Sequence, residues 1–186
     1  MEAEKTTLEG LLIVKPVVYE DARGHFFESY NKKEFERLGI YANFVQDNQS
    51  LSQKGVLRGL HFQKAPFAQG KVVCVIKGAV LDVVVDIRPE SKTYGKWQSF
   101  VLNDKNKKIL WVPEGFAHGF LTLEDDTIFH YKCTNFYNKE YESGIIWNDP
   151  TIKVDWQLGK YKIQKPIISK KDQTLPTFEI MNKKMD

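Results

Sequence analysis

His61, Arg58 and Lys71 fall within one stretch, Gly55 to Lys71, that reads Gly-Val-Leu-Arg-Gly-Leu-His-Phe-Gln, then a short linker, then Gln-Gly-Lys. Of these side chains only imidazole titrates near neutral pH, so His61 is the one able to lend or take a proton there. Arg58 and Lys71 are fixed positive charges. A base beside cations suits proton abstraction from an anionic substrate, because the cations hold the anion and stabilise an oxyanion as it forms. A core histidine flanked by two solvated cations has the same local sequence, so these residues alone leave both readings open.

A second cluster, Pro113-Glu-Gly-Phe-Ala-His-Gly-Phe120, makes a turn that delivers His118 to the entrance of a following strand, as a site residue or as a cap of the fold's mouth. Tyr131 lies in Phe-His-Tyr-Lys-Cys and shares strand parity with Phe129 and Cys133. A phenol in such company is ordinarily core, although beside cations it can give up a proton, since positive charge favours the phenolate. Asp21-Ala-Arg-Gly-His-Phe-Phe-Glu28 and Phe44-Val-Gln-Asp-Asn48 offer Arg23, Glu28, Gln46 and Asn48 to a base or sugar, and equally read as turn chemistry. Two histidines with no Glu between Lys64 and Gly70, beside Arg58 and Lys71, are a poor set for zinc or iron. No metal and no cofactor is expected.

The elements that must position these groups are strands. Short β-branched or aromatic runs broken by Gly, Pro, Asn or Asp fill Leu11 to Tyr137: Leu11–Val18, His25–Tyr30, Phe44–Gln49, Leu57–Gln63, Lys71–Lys77, Val80–Ile87, Trp97–Leu102, Lys108–Val112, Gly119–Leu123 and Ile128–Phe136. In Val80–Ile87, Leu81, Val83, Val85 and Ile87 form one face, while Asp82 and Asp86 share the other with Val80 and Val84. The pattern predicts a mainly β fold, an antiparallel double-sheet jelly roll or barrel with a few short helices. One helix is expected after Asn31 as N-cap, closed by Gly39, and another turn or two after Ser169.

The chain has 186 residues, 42% of them hydrophobic, which predicts a single domain spanning 1–186. A net charge of +3, scattered apart from Lys170, Lys171, Lys183 and Lys184, suits an anionic ligand and not a nucleic acid. Cys74 and Cys133 sit in apolar runs without metal spacing and read as reduced thiols. Nothing approaches the roughly 18 apolar residues of a membrane helix, so a cytoplasmic location without membrane contact is expected.

Asp-x-Arg-Gly-x-Phe-x-Glu, Gln-Asp-Asn, Val-Leu-Arg-Gly-Leu-His-Phe-Gln, Gln-Gly-Lys-Val-Val, Val-Asp-Ile-Arg, Pro-Glu-Gly-Phe-Ala-His-Gly-Phe, Tyr-Lys-Cys-Thr-Asn and Trp-Asn-Asp-Pro follow one another along the chain. In order and spacing, from about Leu11 to Asp172, this series resembles the dTDP-4-dehydrorhamnose 3,5-epimerase family. The resemblance implies a metal-free cupin-type jelly roll, with Gln63 where a metal-holding cupin has its second His, acting as a homodimer on a dTDP-sugar. Its substrate would be dTDP-4-dehydro-6-deoxy-D-glucose, inverted at C3 and C5. It implies His61 as base, Asp172 as its orienting partner, Lys71 on the enolate oxygen and Tyr131 as the acid of the opposite face. Arg23, Glu28, Gln46, Asn48, Arg58, His118, Glu142 and Lys171 would line the substrate pocket, Arg23 and Glu28 on N-terminal strands that reach the partner's site. Relatives that invert one carbon or isomerise the ketone share this framework, and a non-catalytic sugar-nucleotide module is the alternative of another class. In a regular strand Arg58 and His61, three residues apart, would face opposite ways, so Gly59 must bend the strand if both reach the pocket.

Overall fold

Two sheets stack face to face because most of these strands carry one apolar row that must leave water. In the computed structural model, which describes residues 1–183, the strands number fourteen along the chain; Lys184 of the basic tail lies outside the described residues. The first sheet joins, in spatial order, β1 (Glu2–Lys5), β2 (Leu12–Lys15), β10 (Ile109–Val112), β7 (Lys71–Lys77), β12 (Thr127–Cys133) and β5 (Gln46–Ser52). The second joins β13 (Glu142–Gly144), β6 (Val56–Gln63), β11 (Phe116–Thr122), β8 (Ala79–Asp86) and β9 (Trp97–Asn103), with β14 (Ile167–Ile168) lying parallel to β6. A separate ribbon pairs β3 (Tyr19–Asp21) with β4 (Gly24–Phe26). The architecture is the antiparallel double-sheet jelly roll that the strand pattern predicts, of the cupin type that the resemblance implies.

Between the sheets, Val73, Val75, Val80, Val84, Leu110, Phe120 and Phe129 form one core, each side chain contributing about 1.5–3 kcal/mol by leaving water. A second core covers the outer face of the second sheet, where Leu81, Val83, Val85 and Ile87 meet Ile145, Ile152, Trp156, Ile163, Phe178 and Met181. All eight residues of β8 are therefore buried. The row read as the opposite face of Val80–Ile87, Asp82 and Asp86 included, turns inward. Asp149 of Trp-Asn-Asp-Pro anchors this cover: its Oδ1 accepts from the amides of Thr151 and Ile152, and its Oδ2 from that of Phe178, 2.7 Å away, at the head of α2 (Phe178–Asn182).

The helix α1 (Lys32–Arg37) is capped by Asn31, whose side chain accepts from the Lys33 and Glu34 amides, and Gly39 follows it with φ +85°. Strand edges shift from the expected bounds. β2 stops at Lys15 because Pro16 has no amide hydrogen for the ladder. β11 starts at Phe116, which puts His118 inside the strand and not at its entrance. Among the described residues no helix is long and apolar enough to cross a membrane.

Candidate active site

The geometry of β6 departs from a plain strand at Gly59. Across the β6–β11 ladder His118 faces His61 while Phe120 faces Arg58, so two steps on β11 span three on β6 and β6 carries one extra residue. The bulge reverses parity: Leu57 and Leu60 point into the outer core, and Arg58 and His61 both line the cavity between the sheets. Only glycine fits here, at φ +113° and with a Cβ that would meet Gly119 Cα at 2.6 Å and the His118 carbonyl oxygen at 2.7 Å. The requirement that Gly59 bend the strand is met.

The amide left over by the bulge has a partner. Gly59 N–H donates to Asp172 Oδ2 at 3.2 Å, and His61 Nε2 lies 2.7 Å from Asp172 Oδ1. Asp172 stands at the start of a single 3-10 turn, Asp172–Thr174, and its own amide donates to Ser169 Oγ. Burial pushes the Asp172 carboxyl up, but the hydrogen bond and charge of His61, the Gly59 amide and Ser169 outweigh it and hold the group below its ordinary value. An ionised carboxylate only accepts, so Nε2 of His61 carries the proton and Nδ1 is left free to take one.

The cavity holds about 580 Å³, a volume typical of sites for a sizeable small molecule. His61, Arg58 and His118 enter it from the second sheet; Lys71, Tyr131 and Asn48 enter from the first. Lys71 has no hydrogen bond or ion pair among the described residues, and burial lowers its pKa against the opposing pull of Cys133, Asp82 and Glu142. Tyr131 packs against Phe129, ring centroids 6.1 Å apart. Burial raises its pKa, helped by Cys133 and Glu142 and opposed by Arg58, so the phenol stays protonated at neutral pH. Arg58 does favour the phenolate, as expected of a nearby cation, but desolvation prevails.

A smaller annex of about 120 Å³ shares His61, Lys71, Tyr131 and Asn48 and adds Gln46, Gln63, Gln69, Tyr137 and Glu142. Gln46 donates to Asn48 Oδ1 at 3.0 Å and accepts from the Tyr137 amide. Glu142 pairs with Lys171 at 2.5 Å and accepts from the Tyr137 hydroxyl at 2.7 Å. Of the twelve site residues expected from the sequence, Arg23 and Glu28 are not brought to these cavities. Arg23 pairs with Asp21 on the exposed ribbon, and Glu28 accepts from the Asn31 side chain at 2.9 Å.

Three contributors escaped sequence reasoning. Ser50 continues the inward row Gln46, Asn48, Ser50, Ser52 of β5, a period-2 polar alternation that was readable. Tyr137 lies past the end of β12, where no periodicity points to it. Asp82 holds His118 from the next strand, Nε2 to Oδ2 2.8 Å, and only the pairing of β8 with β11 reveals it. Among the described residues no group of three or more His, Cys, Asp or Glu side chains converges to hold a metal.

Known proteins of one family resemble this chain over nearly all of its length. A family model described as dTDP-4-dehydrorhamnose 3,5-epimerase matches residues 5–179. The dTDP-4-dehydrorhamnose 3,5-epimerase of Methanothermobacter thermautotrophicus is 51% identical over 169 residues, 91% of this chain and 90% of that protein. The solved structure of the dTDP-6-deoxy-D-glucose-3,5-epimerase of Legionella pneumophila, in complex with dTDP-4-keto-L-rhamnose, superposes with a TM-score of 0.92 at 43% identity, covering 99% of this chain and 96% of that one. ChmJ, a 3'-monoepimerase from Streptomyces bikiniensis in complex with dTDP-quinovose, superposes with a TM-score of 0.89 at 28% identity, covering 97% and 89%. With a dyad, a lysine and a phenol around one cavity and a family match over nearly all its length, this chain belongs to the dTDP-4-dehydrorhamnose 3,5-epimerase family.

Proposed function

We propose that this chain, acting as one domain over 1–186, epimerises dTDP-4-dehydro-6-deoxy-D-glucose at C3 and C5 to dTDP-4-dehydro-L-rhamnose. The observation that carries the reading is that His61 and Tyr131 stand on facing sheets, with Lys71 in the same cavity. Inversion needs a base on one face of the carbon and an acid on the other.

His61, freed at Nδ1 by Asp172, takes the proton from the carbon beside the C4 ketone. The electron pair moves into an enolate whose oxygen Lys71 stabilises, because that C–H is acidic only insofar as the enolate is stabilised. Tyr131 returns a proton from the opposite face, and imidazolium and phenolate then exchange with solvent to restore the starting charges. Arg58, His118, Lys171, Glu142, Gln46 and Asn48 hold the sugar nucleotide. The active form is a homodimer in which Arg23 and Glu28 complete the partner's cavity, which fits the exposure of Arg23 on the β3–β4 ribbon and of Glu28 just beyond it, near Tyr19 and Phe26, 64% and 66% exposed. Sedimentation equilibrium returning the mass of one chain, 21.6 kDa, would remove that part.

Incubation with the 4-keto sugar nucleotide in D2O tests the whole reading: deuterium is expected at both C3 and C5. Incorporation at neither carbon refutes it, and incorporation at C3 alone selects the mono-epimerase, the second reading that the likeness to ChmJ favours. His61→Ala is expected to slow exchange by at least roughly 100-fold, the loss of a general base.

A further inference from the structure

Asp82 is fully buried, yet it is an acid on the inward face of β8, where Val80 and Val84 are core. Its Oδ2 accepts from His118 Nε2 at 2.8 Å, and its Oδ1 has no hydrogen-bond partner. His118 in turn lies directly across the ladder from His61 and lines the same cavity. A second histidine–carboxylate pair therefore sits beside the first, and the mechanism above makes no use of its carboxylate. An ionised carboxylate with one hydrogen bond is costly in a core unless positive charge lies near it.

We propose that Asp82 is a positioning residue for the reaction, its buried carboxylate fixing His118 in the cavity and supplying the counter-charge for the Lys71 ammonium. The inference deepens the epimerase reading and rests on it. Every other group around Lys71 is neutral, already paired or of the wrong sign. On β12, Cys133 lies opposite Lys71 and Tyr131 lines the same cavity, and burial pushes both pKa values up, so they are an uncharged thiol and phenol at neutral pH. From β13, Glu142 is committed to Lys171; Asp172 is committed to His61 and the Gly59 amide. Arg58 and Lys171 carry the same sign as Lys71, and His118 is held by Asp82 itself. Lys71 shares the inward row of β7 with Val73 and Val75, and those two pack in one core with Val80 and Val84, which flank Asp82 on the facing sheet; the Asp82 carboxylate, its Oδ1 unpartnered, is the anion left to answer the buried ammonium, whose pKa burial draws down. Without it the ammonium that steadies the enolate oxygen would lose its proton at lower pH.

The test follows the titration of Lys71 by NMR in protein carrying 13C at lysine Cε, the resonance assigned by its loss in Lys71→Arg. In Asp82→Asn the midpoint is expected to fall by about one pH unit, and the alkaline limb of the kcat/KM profile to fall with it, giving about tenfold less activity above that limb. His118→Asn keeps the Asp82 charge and a donor to it, and is expected to move the midpoint by less than half as much. An unchanged midpoint in Asp82→Asn, or an equal fall in His118→Asn, overturns the proposal; Asp82→Ser carries the same expectation where the Asn variant fails to fold. The titration needs no turnover, so a protein silent in the D2O experiment would lose the epimerase reading while the charge assignment stood or fell separately.

Discussion

Asp172 binds His61 through Nε2 and the Gly59 amide through its second oxygen, so one carboxylate fixes both the tautomer of His61 and the backbone that carries it. Asp172→Asn retains the shape but presents an amide that can donate where Nε2 needs an acceptor, which permits the wrong tautomer. The expected outcome is a fall in kcat of about 100-fold or more with little change in KM, since the base acts in the transition state. Tyr131→Phe separates the two half-steps in the opposite way. Deuterium exchange at the carbon facing His61 persists while net inversion falls by about 100-fold, read by NMR of the sugar product. Parallel loss of exchange and inversion in that variant would place Tyr131 in binding and not in proton delivery.

The bulge is the element on which the site depends. It turns Arg58 to the same side as His61, releases an amide for Asp172, and brings Gly59 against Gly119 closely enough that neither tolerates a Cβ. Gly59→Ala must either push β11 away or straighten β6, and straightening sends Arg58 or His61 out of the cavity. Destabilisation of about 2–4 kcal/mol is expected, measured by urea denaturation, together with loss of exchange activity. The same substitution at Gly24, which has nothing within 4 Å of its added Cβ, involves no such collision, although its φ of +125° still disfavours a side chain. The β5 strand supports the site differently, through the inward polar row Gln46, Asn48, Ser50 and Ser52, with Arg58 Nε donating to Ser52 Oγ at 3.3 Å.

At the scale of the molecule, buried carboxylates gather donors where the chain leaves a strand for a loop or meets the C-terminal cover. Asp86 accepts from the Arg88 guanidinium and from the hydroxyls of Ser91 and Thr93, each hydroxyl at 2.6 Å. Burial alone would raise its pKa, but these bonds lower it from 3.8 to about 2. The folded form therefore takes up this proton less readily than the unfolded chain. Its contribution, about 2 kcal/mol, is complete above pH ~4 and is lost as pH falls towards 2. Asp86→Asn should lower stability near pH 7 by about that amount and flatten the decline between pH 4 and 2, followed by urea midpoints across that range. A decline as steep as in the unsubstituted protein would assign acid sensitivity to other carboxylates.

Period-2 alternation and turn residues determined the strands of the jelly roll, because a half-buried sheet imposes that spacing locally; Lys71–Lys77 was legible to the residue. The expected α1, Asn31 cap included, follows from capping chemistry that acts over four residues. The motif series pointed to His61, Lys71, Tyr131 and even Asp172, but by likeness, since nothing local ties Asp172 to His61, 111 residues away. Strand β1, with exposed Glu and Lys and no alternation, forms because β2 offers it an edge. The parity reversal at Gly59 required β11 as a neighbour, and the Asp82–His118 pair came into view only when β8 was laid beside β11. Local sequence sets which face a residue takes within its own strand; which strand lies opposite, and so which charges meet, is decided by packing between elements distant in the chain.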